Sequence, residues 1–516
     1  MTKGKYLGLV VLLVISLMLV LTGCTDSLLS GQILGKVTGS ITGVVKDDQK
    51  NPLSGVSVTV GNKADTTDSN GVFQISNLEV GEYILTATLK GYKTTQVNIT
   101  VSEGNNTIKD IILYKEDTND GNDPTDEEDM GEIITFEDSN LEAVVREALG
   151  KPSGPIYSKE VMFIDGLEGW DRGITSLKGI EHLTSLHWIN FNNNQISDLN
   201  PLAELLSLEW LEFNNNLIND ISPLLNLLKL RGLSLIDNPI NDDAIDVLAE
   251  MDYLENLHLG GNSINDIDAL INIIREMPYL RWLTLTRSKL TNTHLYLLVN
   301  LNGLEGLNLS ENLIDDISPL KELSNLKHLN VSGNSIRDIS SLAELKLLRG
   351  LYLWNNEIMD IDSLAELTNL ESLGLGWNQI ENITPLANLT NLQRLWLSGN
   401  YIVDISPLAG LTYLEELYLD NNNIDNIEPL AGLTRLEELW LEDNDISDIS
   451  ALAGMQFLRR LSIAGNKISN IDVLLELDRL EYVRIGSIYY LDDSALEVIE
   501  ELEKRGCEVE FWGGQN

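Results

Sequence analysis

Nine tryptophans and fifteen tyrosines are the most pointed side chains in this 516-residue sequence. Trp188, Trp210, Trp282, Trp354, Trp396 and Trp440 keep one phase against a run of leucines, and Tyr352, Tyr418 and Tyr482 keep the same phase. Large rings gathered on one surface suit recognition of a partner rather than bond making. Bond-making constellations are missing from the sequence. There is no H-E-x-x-H, no G-x-S-x-G, no G-x-x-x-x-G-K and no cysteine cluster. The five histidines are scattered, and His258 and His328, which share the ring phase, stand three units apart. No enzyme, cofactor or metal site is expected. Asp198, Asp220, Asp316, Asp338, Asp360, Asp404 and Asp448 recur with the leucines, so turn chemistry explains them better than acid–base pairing.

The phase itself comes from a repeat, L-x-x-L-x-L-x-x-N-x-I. Its first leucines are Leu186, Leu208, Leu230, Leu254, Leu280, Leu304, Leu326, Leu348, Leu370, Leu392, Leu414, Leu436, Leu458 and Leu480. Successive leucines are 22 residues apart, except for steps of 24, 26 and 24 between Leu230 and Leu304. Asparagine holds the ninth position from Asn194 to Asn466, with Ser288 and Ile488 as exceptions. Alternating leucines predict a short strand with its apolar side inward. The asparagine predicts an inward turn whose amide serves the neighbouring coil. Asp-Ile-Ser-Pro-Leu, as at 220–224, predicts a short helical turn opened by serine and proline. No unit can bury its own apolar face, so the units must stack into a curved parallel sheet.

On such a sheet the third, fifth and seventh residues of each unit point out onto the concave face. Chance would put fewer than one of the nine tryptophans at those positions, yet six are there. One unit presents only Ser372, Gly374 and Gly376 outward. A recess is expected there, walled by Tyr352, Trp354 and Trp396, with Arg394, Glu416, Asp420, Glu438 and Glu442 close by to orient a ligand. Tyr418 and Trp440 continue the row. The competing reading is that the rings only pack on one another along the sheet.

The 22-residue units and Asp-Ile-Ser-Pro-Leu turns resemble those of the internalins and related leucine-rich-repeat surface proteins. The resemblance covers about 135–485 and implies a leucine-rich-repeat solenoid whose role is binding a protein, host or bacterial. Binding of a glycan, or service as a structural spacer, are the alternatives. Within it, 134–180 reads as a cap with a partial first repeat, 181–490 as the repeats and 491–516 as a closing cap. Ser139-Asn140-Leu141-Glu142 reads as a capping box opening the first cap's helix. A second helix should start at Ser494 and end before Gly506, followed by a strand at 507–511.

The N-terminal quarter is organised differently. Lys3 and Lys5 precede an apolar run to Leu21, and Leu21-Thr22-Gly23-Cys24 follows. This resembles a bacterial lipobox, which implies a signal peptide at 1–23, lipid on Cys24 and residence on the outer face of the cell membrane. Residues 24–38 then form a tether. Short alternating strands at 39–114, with Gly43-Val44-Val45, Pro52-Leu53-Ser54-Gly55 and Gly81-Glu82-Tyr83, predict a small β-sandwich. They resemble the carboxypeptidase regulatory-like domain, which implies a spacer and no peptidase site. Asp65, Asp68 and Asn70 read as turn formers before calcium ligands. Residues 115–133 are acidic and poor in apolar side chains, as in a flexible linker. The net charge of −44 argues against nucleic acid and anionic headgroups as partners, which leaves the membrane reached through lipid alone. Cys507 has no partner once Cys24 carries lipid, and a monomer is expected.

Overall fold

The structure, a computed structural model, describes residues 38–115 and 130–512, apart from 62, 80, 103, 108–109, 488–490 and 493. The expected signal peptide, Cys24, most of the tether, most of the acidic linker and Ile488 lie outside the described residues. The chain divides into two compact units at Pro124.

The first unit is all β. Thr38–Asp47 pairs antiparallel with Val72–Glu79 and parallel with Gly104–Thr107 and Ile111–Leu113. A second sheet runs in the order Lys63–Thr66, Ser57–Val60, Gly81–Thr88 and Thr95–Val101. Alternate residues bury a shared core that includes Ile41, Val45, Val58, Phe73, Leu85 and Leu113. Asp68 Oδ1 accepts from the N–H groups of Asn70 and Val72, and Asp65 Oδ2 from that of Gln74. The Asp68 side chain therefore closes a turn, whereas Asp65 ties its strand to Val72–Glu79 rather than forming a turn.

The second unit is built on a sixteen-stranded parallel sheet, from Gly166–Glu168 to Glu508–Trp512. Coils stack in strict register, so position three pairs with position three, as in Trp188↔Trp210↔Gly232. The leucines between the outward positions are buried throughout. Each contributes about 2 kcal/mol of transfer free energy.

The ninth-position asparagine links neighbouring coils. Asn378 accepts from Ile358 N–H of the previous coil at 3.0 Å and donates to the carbonyl oxygens of Leu353 and Leu375 at 2.9 and 3.0 Å. An unmade bond at such a buried polar group costs on the order of 1–3 kcal/mol, which explains why one residue type recurs. The aspartates cap the short helical turns. Asp220 Oδ1 accepts from Ser222 N–H at 2.8 Å, and Asp316, Asp338, Asp404 and Asp448 repeat the contact. Asp two residues before the turn, not the serine, thus supplies the capping oxygen.

The long units depart from this plan. Their extra residues form true α-helices at Ala244–Ala249, Ile267–Ile274 and Asn292–Leu298, where the regular units carry single 3-10 turns. The ladder weakens in the same place: Ser288 replaces asparagine, and Asn262 Oδ1 has no partner among the described residues.

Both ends are covered. The first helix, Ser139–Leu149, is capped by Asp138 rather than by the Ser139 box read from the sequence. Asp138 Oδ1 accepts from Asn140 and Leu141 N–H, while Oδ2 accepts from Thr175 N–H and Oγ1, which ties the cap to the first coil. One carboxylate serving two segments is worth more than a local box, and only the fold brings Thr175 to it. At the other end, Ala495–Lys504 and the strand Glu508–Trp512 close the last coil. Cys507 is buried, and burial pushes its thiol up to about 11.

Candidate binding face of the repeat sheet

Strand alternation puts one set of side chains into the core and the other on the open face of the sheet. The register places Trp188 and Trp210 in one column with Gly232, Asn256, Trp282, Gly306 and His328. A second column holds Tyr352, Gly374, Trp396, Tyr418 and Trp440, next to Arg394, Glu416 and Glu438 of the first. All six predicted tryptophans and the three tyrosines are thus on one face.

In the N-terminal part the rings rest on glycine. A Cβ at Gly166 would overlap the Trp188 indole, one at Gly232 that of Trp210, and one at Gly306 that of Trp282. Gly306 lets Trp282 lean across a whole strand toward His328, with ring centroids 5.3 Å apart. Trp188 keeps 40% of its surface exposed. The polar neighbours include amides, hydroxyls, the carboxylates of Glu168 and Glu212 and one buried imidazole. Asn192 and the Trp210 indole N–H both donate to Glu212 at 3.0 Å. His258 Nδ1 lies 2.7 Å from Thr284 Oγ1, and burial lowers its pKa to about 4, so the ring is neutral near pH 7.

The C-terminal part is a continuous row of rings. Tyr352 and Trp354 both pack on Trp396, at 6.2 and 5.7 Å between centroids. Trp396 meets Tyr418 at 6.1 Å, and Tyr418 stacks on Trp440 at 5.8 Å with planes 6° apart. Trp440 then leads to Tyr482 at 6.4 Å. Offset ring pairs of this kind add about 0.5–1.5 kcal/mol each beyond their buried area.

This packing corrects the expected recess. The Trp354 indole lies across Gly374, where a Cβ would overlap it, and Ser372, Gly374 and Gly376 are all buried. Tyr352 and Trp396 are only 3% and 6% exposed, so they support the face rather than offer it. An empty glycine surface beside three large rings is filled by the nearest of them. The ring-on-ring reading therefore holds for Tyr352, Trp396 and Gly374. Trp188, Trp210, Trp282, Trp354, Tyr418 and Trp440 keep partly open surfaces. Among the described residues the indole N–H groups of Trp354 and Trp440 have no acceptor.

Charged groups border the row. Arg394 pairs with Glu416 and Arg460 with Glu438, each at 3.7 Å. Tyr418 Oη donates to Glu438 at 2.8 Å, and Ser398 Oγ donates to Asp420 at 2.5 Å. Burial pushes the carboxyls of Glu416, Asp420 and Glu442 above the ordinary range. Burial, and then the Glu438 charge, raises the Tyr418 hydroxyl. No group of three or more His, Cys, Asp or Glu that could hold a metal occurs among the described residues.

Sequence reasoning missed the glycine sockets and Trp170, an exposed ring beyond the first strand. The signal was available: Gly166, Gly232, Gly306 and Gly350 all sit at outward position three, where a strand gains nothing from glycine unless a neighbour needs the space.

Residues 40–114 match the model of the carboxypeptidase regulatory-like domain. Five overlapping or adjoining stretches between 302 and 476 match that of paired leucine-rich repeats. No curated protein matches the chain. Among solved structures, a leucine-rich-repeat protein of Leptospira interrogans is 21% identical, with 69% of this chain and 97% of that one covered and a TM-score of 0.54. An internalin of Listeria monocytogenes is 32% identical over 67% of this chain and 95% of that one, with a TM-score of 0.47. The ectodomain of a plant receptor kinase from Arabidopsis thaliana, solved with a Casparian strip integrity factor, is 23% identical over 60% and 43%, with a TM-score of 0.45.

Proposed function

The chain is a leucine-rich-repeat solenoid with a carboxypeptidase regulatory-like domain before it, and from that premise we propose a lipid-anchored cell-surface protein that binds a protein partner. Solenoids of this kind generally serve as recognition modules, and an extended sheet face is what they recognise with. The observation that carries the reading is the set of partly open rings on one face, Trp188, Trp210, Trp282, Trp354, Tyr418, Trp440 and Tyr482, with paired charges beside the later ones. Centrally placed aromatic side chains are the usual anchors of protein interfaces. The rings are spread over many strands, which fits a folded or extended protein surface better than a small ligand. The lipobox at 21–24 supports anchoring at Cys24, with the regulatory-like domain as spacer.

Two measurements test this. The protein is immobilised and used to capture surface proteins, and each captured protein is purified and titrated. W188A and W440A should each weaken the interaction at least tenfold while leaving the thermal transition within a few degrees. Unchanged affinity in both variants sinks the proposed face. Separately, Cys24→Ser should move the protein out of the membrane fraction, and retention there sinks the anchor.

A further inference from the structure

Over the first four strands of the repeat sheet, the third position of the coil reads Gly166, Trp188, Trp210 and Gly232 in unbroken register. The two indoles lean in opposite directions. Trp188 covers Gly166 on the strand before it, and Trp210 covers Gly232 on the strand after it. Those glycines stand three strands apart, about 14 Å at the usual strand spacing. A gap therefore opens between the two rings, and Trp188 keeps 40% of its surface in solvent beside it.

The fifth position of the same strands reads Glu168, Asn190, Glu212 and Ser234. Asn190 stands between the two carboxylates and donates to Glu168 at 3.2 Å. The Trp210 indole N–H and Asn192 hold Glu212 in place. Neither carboxylate forms an ion pair among the described residues. The arginines next to these strands pair elsewhere, Arg172 with Glu147 and Arg231 with Glu255. No outward position before Arg394 carries lysine or arginine. The later part of the face treats its carboxylates differently. Glu416, Glu438 and Glu442 each have an arginine from another coil, Arg394, Arg460 and Arg484.

We propose that the protein partner inserts an arginine side chain between Trp188 and Trp210, with its guanidinium against Glu168 and Glu212. This rests on the protein-binding reading above and names what the partner presents at this end of the face. A guanidinium is flat, stacks on indole faces and carries five donors for carboxylate oxygens, whereas an ammonium is a compact point charge. It supplies the cation that this part of the face lacks and the later part provides for itself. Arginine is also frequent among the few residues that dominate protein interfaces. The net charge of −44 draws a basic segment toward the face.

For the test, the full chain is labelled with 5-fluorotryptophan, and the fluorine signals of Trp188 and Trp210 are assigned with W188F and W210F. The chain is titrated at physiological salt with the peptide acetyl-Gly-Ser-Arg-Ser-Gly-amide, and with the same peptide carrying lysine or citrulline instead of arginine. Both signals should shift saturably with the arginine peptide, at least threefold more weakly with lysine and not at all with citrulline. E168Q and E212Q keep an acceptor oxygen for Asn190 and Trp210, and each should weaken the arginine response at least fivefold. E344Q, which removes one charge from an exposed turn, should leave it unchanged. Unmoved Trp188 and Trp210 signals overturn the proposal. So does an equal response to lysine or citrulline, or an affinity within twofold of the unaltered chain in both E168Q and E212Q. These readings use the peptide alone. Failure of the partner-binding face shows instead as unchanged partner affinity in W188A and W440A, so the two failures stay distinct.

Discussion

The two ends of the repeat sheet use the same ring chemistry in opposite ways. From Trp188 to Trp282 each indole lies on a glycine, and of the three Trp282 leans on to meet the His328 ring. From Tyr352 to Tyr482 the rings lie on one another. A ring over glycine loses part of one side and stays available on the other. A ring enclosed by three others, as Trp396 is at 6% exposure, is spent on packing. Outward direction alone therefore does not make a tryptophan a contact residue; the column neighbour decides.

Replacing the most enclosed ring should have the largest effect. W396A removes a ring packed against Tyr352, Trp354 and Tyr418 and should cost about 3–4 kcal/mol, read from denaturant midpoints. W188A, by contrast, should stay within about 0.5 kcal/mol. Equal losses in the two variants would erase the distinction between the two ends.

The second effect belongs to the buried imidazole of the earlier stretch. His258 has a folded pKa of about 4 against an ordinary 6.5, so between those values the unfolded chain takes up a proton that the folded chain refuses. Its contribution is complete above pH 6.5 and is lost as pH falls toward 4, amounting to roughly 3 kcal/mol. H258Q should flatten that segment of the stability profile, and an unchanged slope would place the titration elsewhere.

Filling a glycine socket comes next. Gly306→Val puts a side chain where the Trp282 ring lies and should cost about 1–2 kcal/mol while shifting Trp282 fluorescence. The smallest effect is expected among the carboxylates of the later stretch. Burial raises the Asp420 carboxyl, so its charged form weakens the fold at neutral pH. Asp420→Asn should add a few tenths of a kcal/mol at pH 7, roughly the scale of a surface substitution. That gain should shrink as pH falls through the carboxyl's own range.

Much of this was legible in the leucines. Their 22-residue step predicts the stacked coils, and alternation predicts which side Trp188 and Trp440 occupy. The three long steps marked where helices replace single turns, although the sequence reading expected only short turns there. Exposure was less legible. Gly374 reads as a hole when only its own unit is considered, whereas Trp354 from the previous coil covers it. Likewise the first helix reads as starting from a Ser139 box, because Thr175, which recruits Asp138, is 37 residues away.

The sequence alone determined the architecture, since a repeat whose apolar and polar positions keep one period has only one way to bury the former. It also determined which rings share a face, because side-chain direction in a strand depends only on parity. The tertiary structure decided which of those rings remain open. That depends on the neighbour 22 residues away in the chain and one strand away in space, and on whether it is a glycine, a ring or a charge.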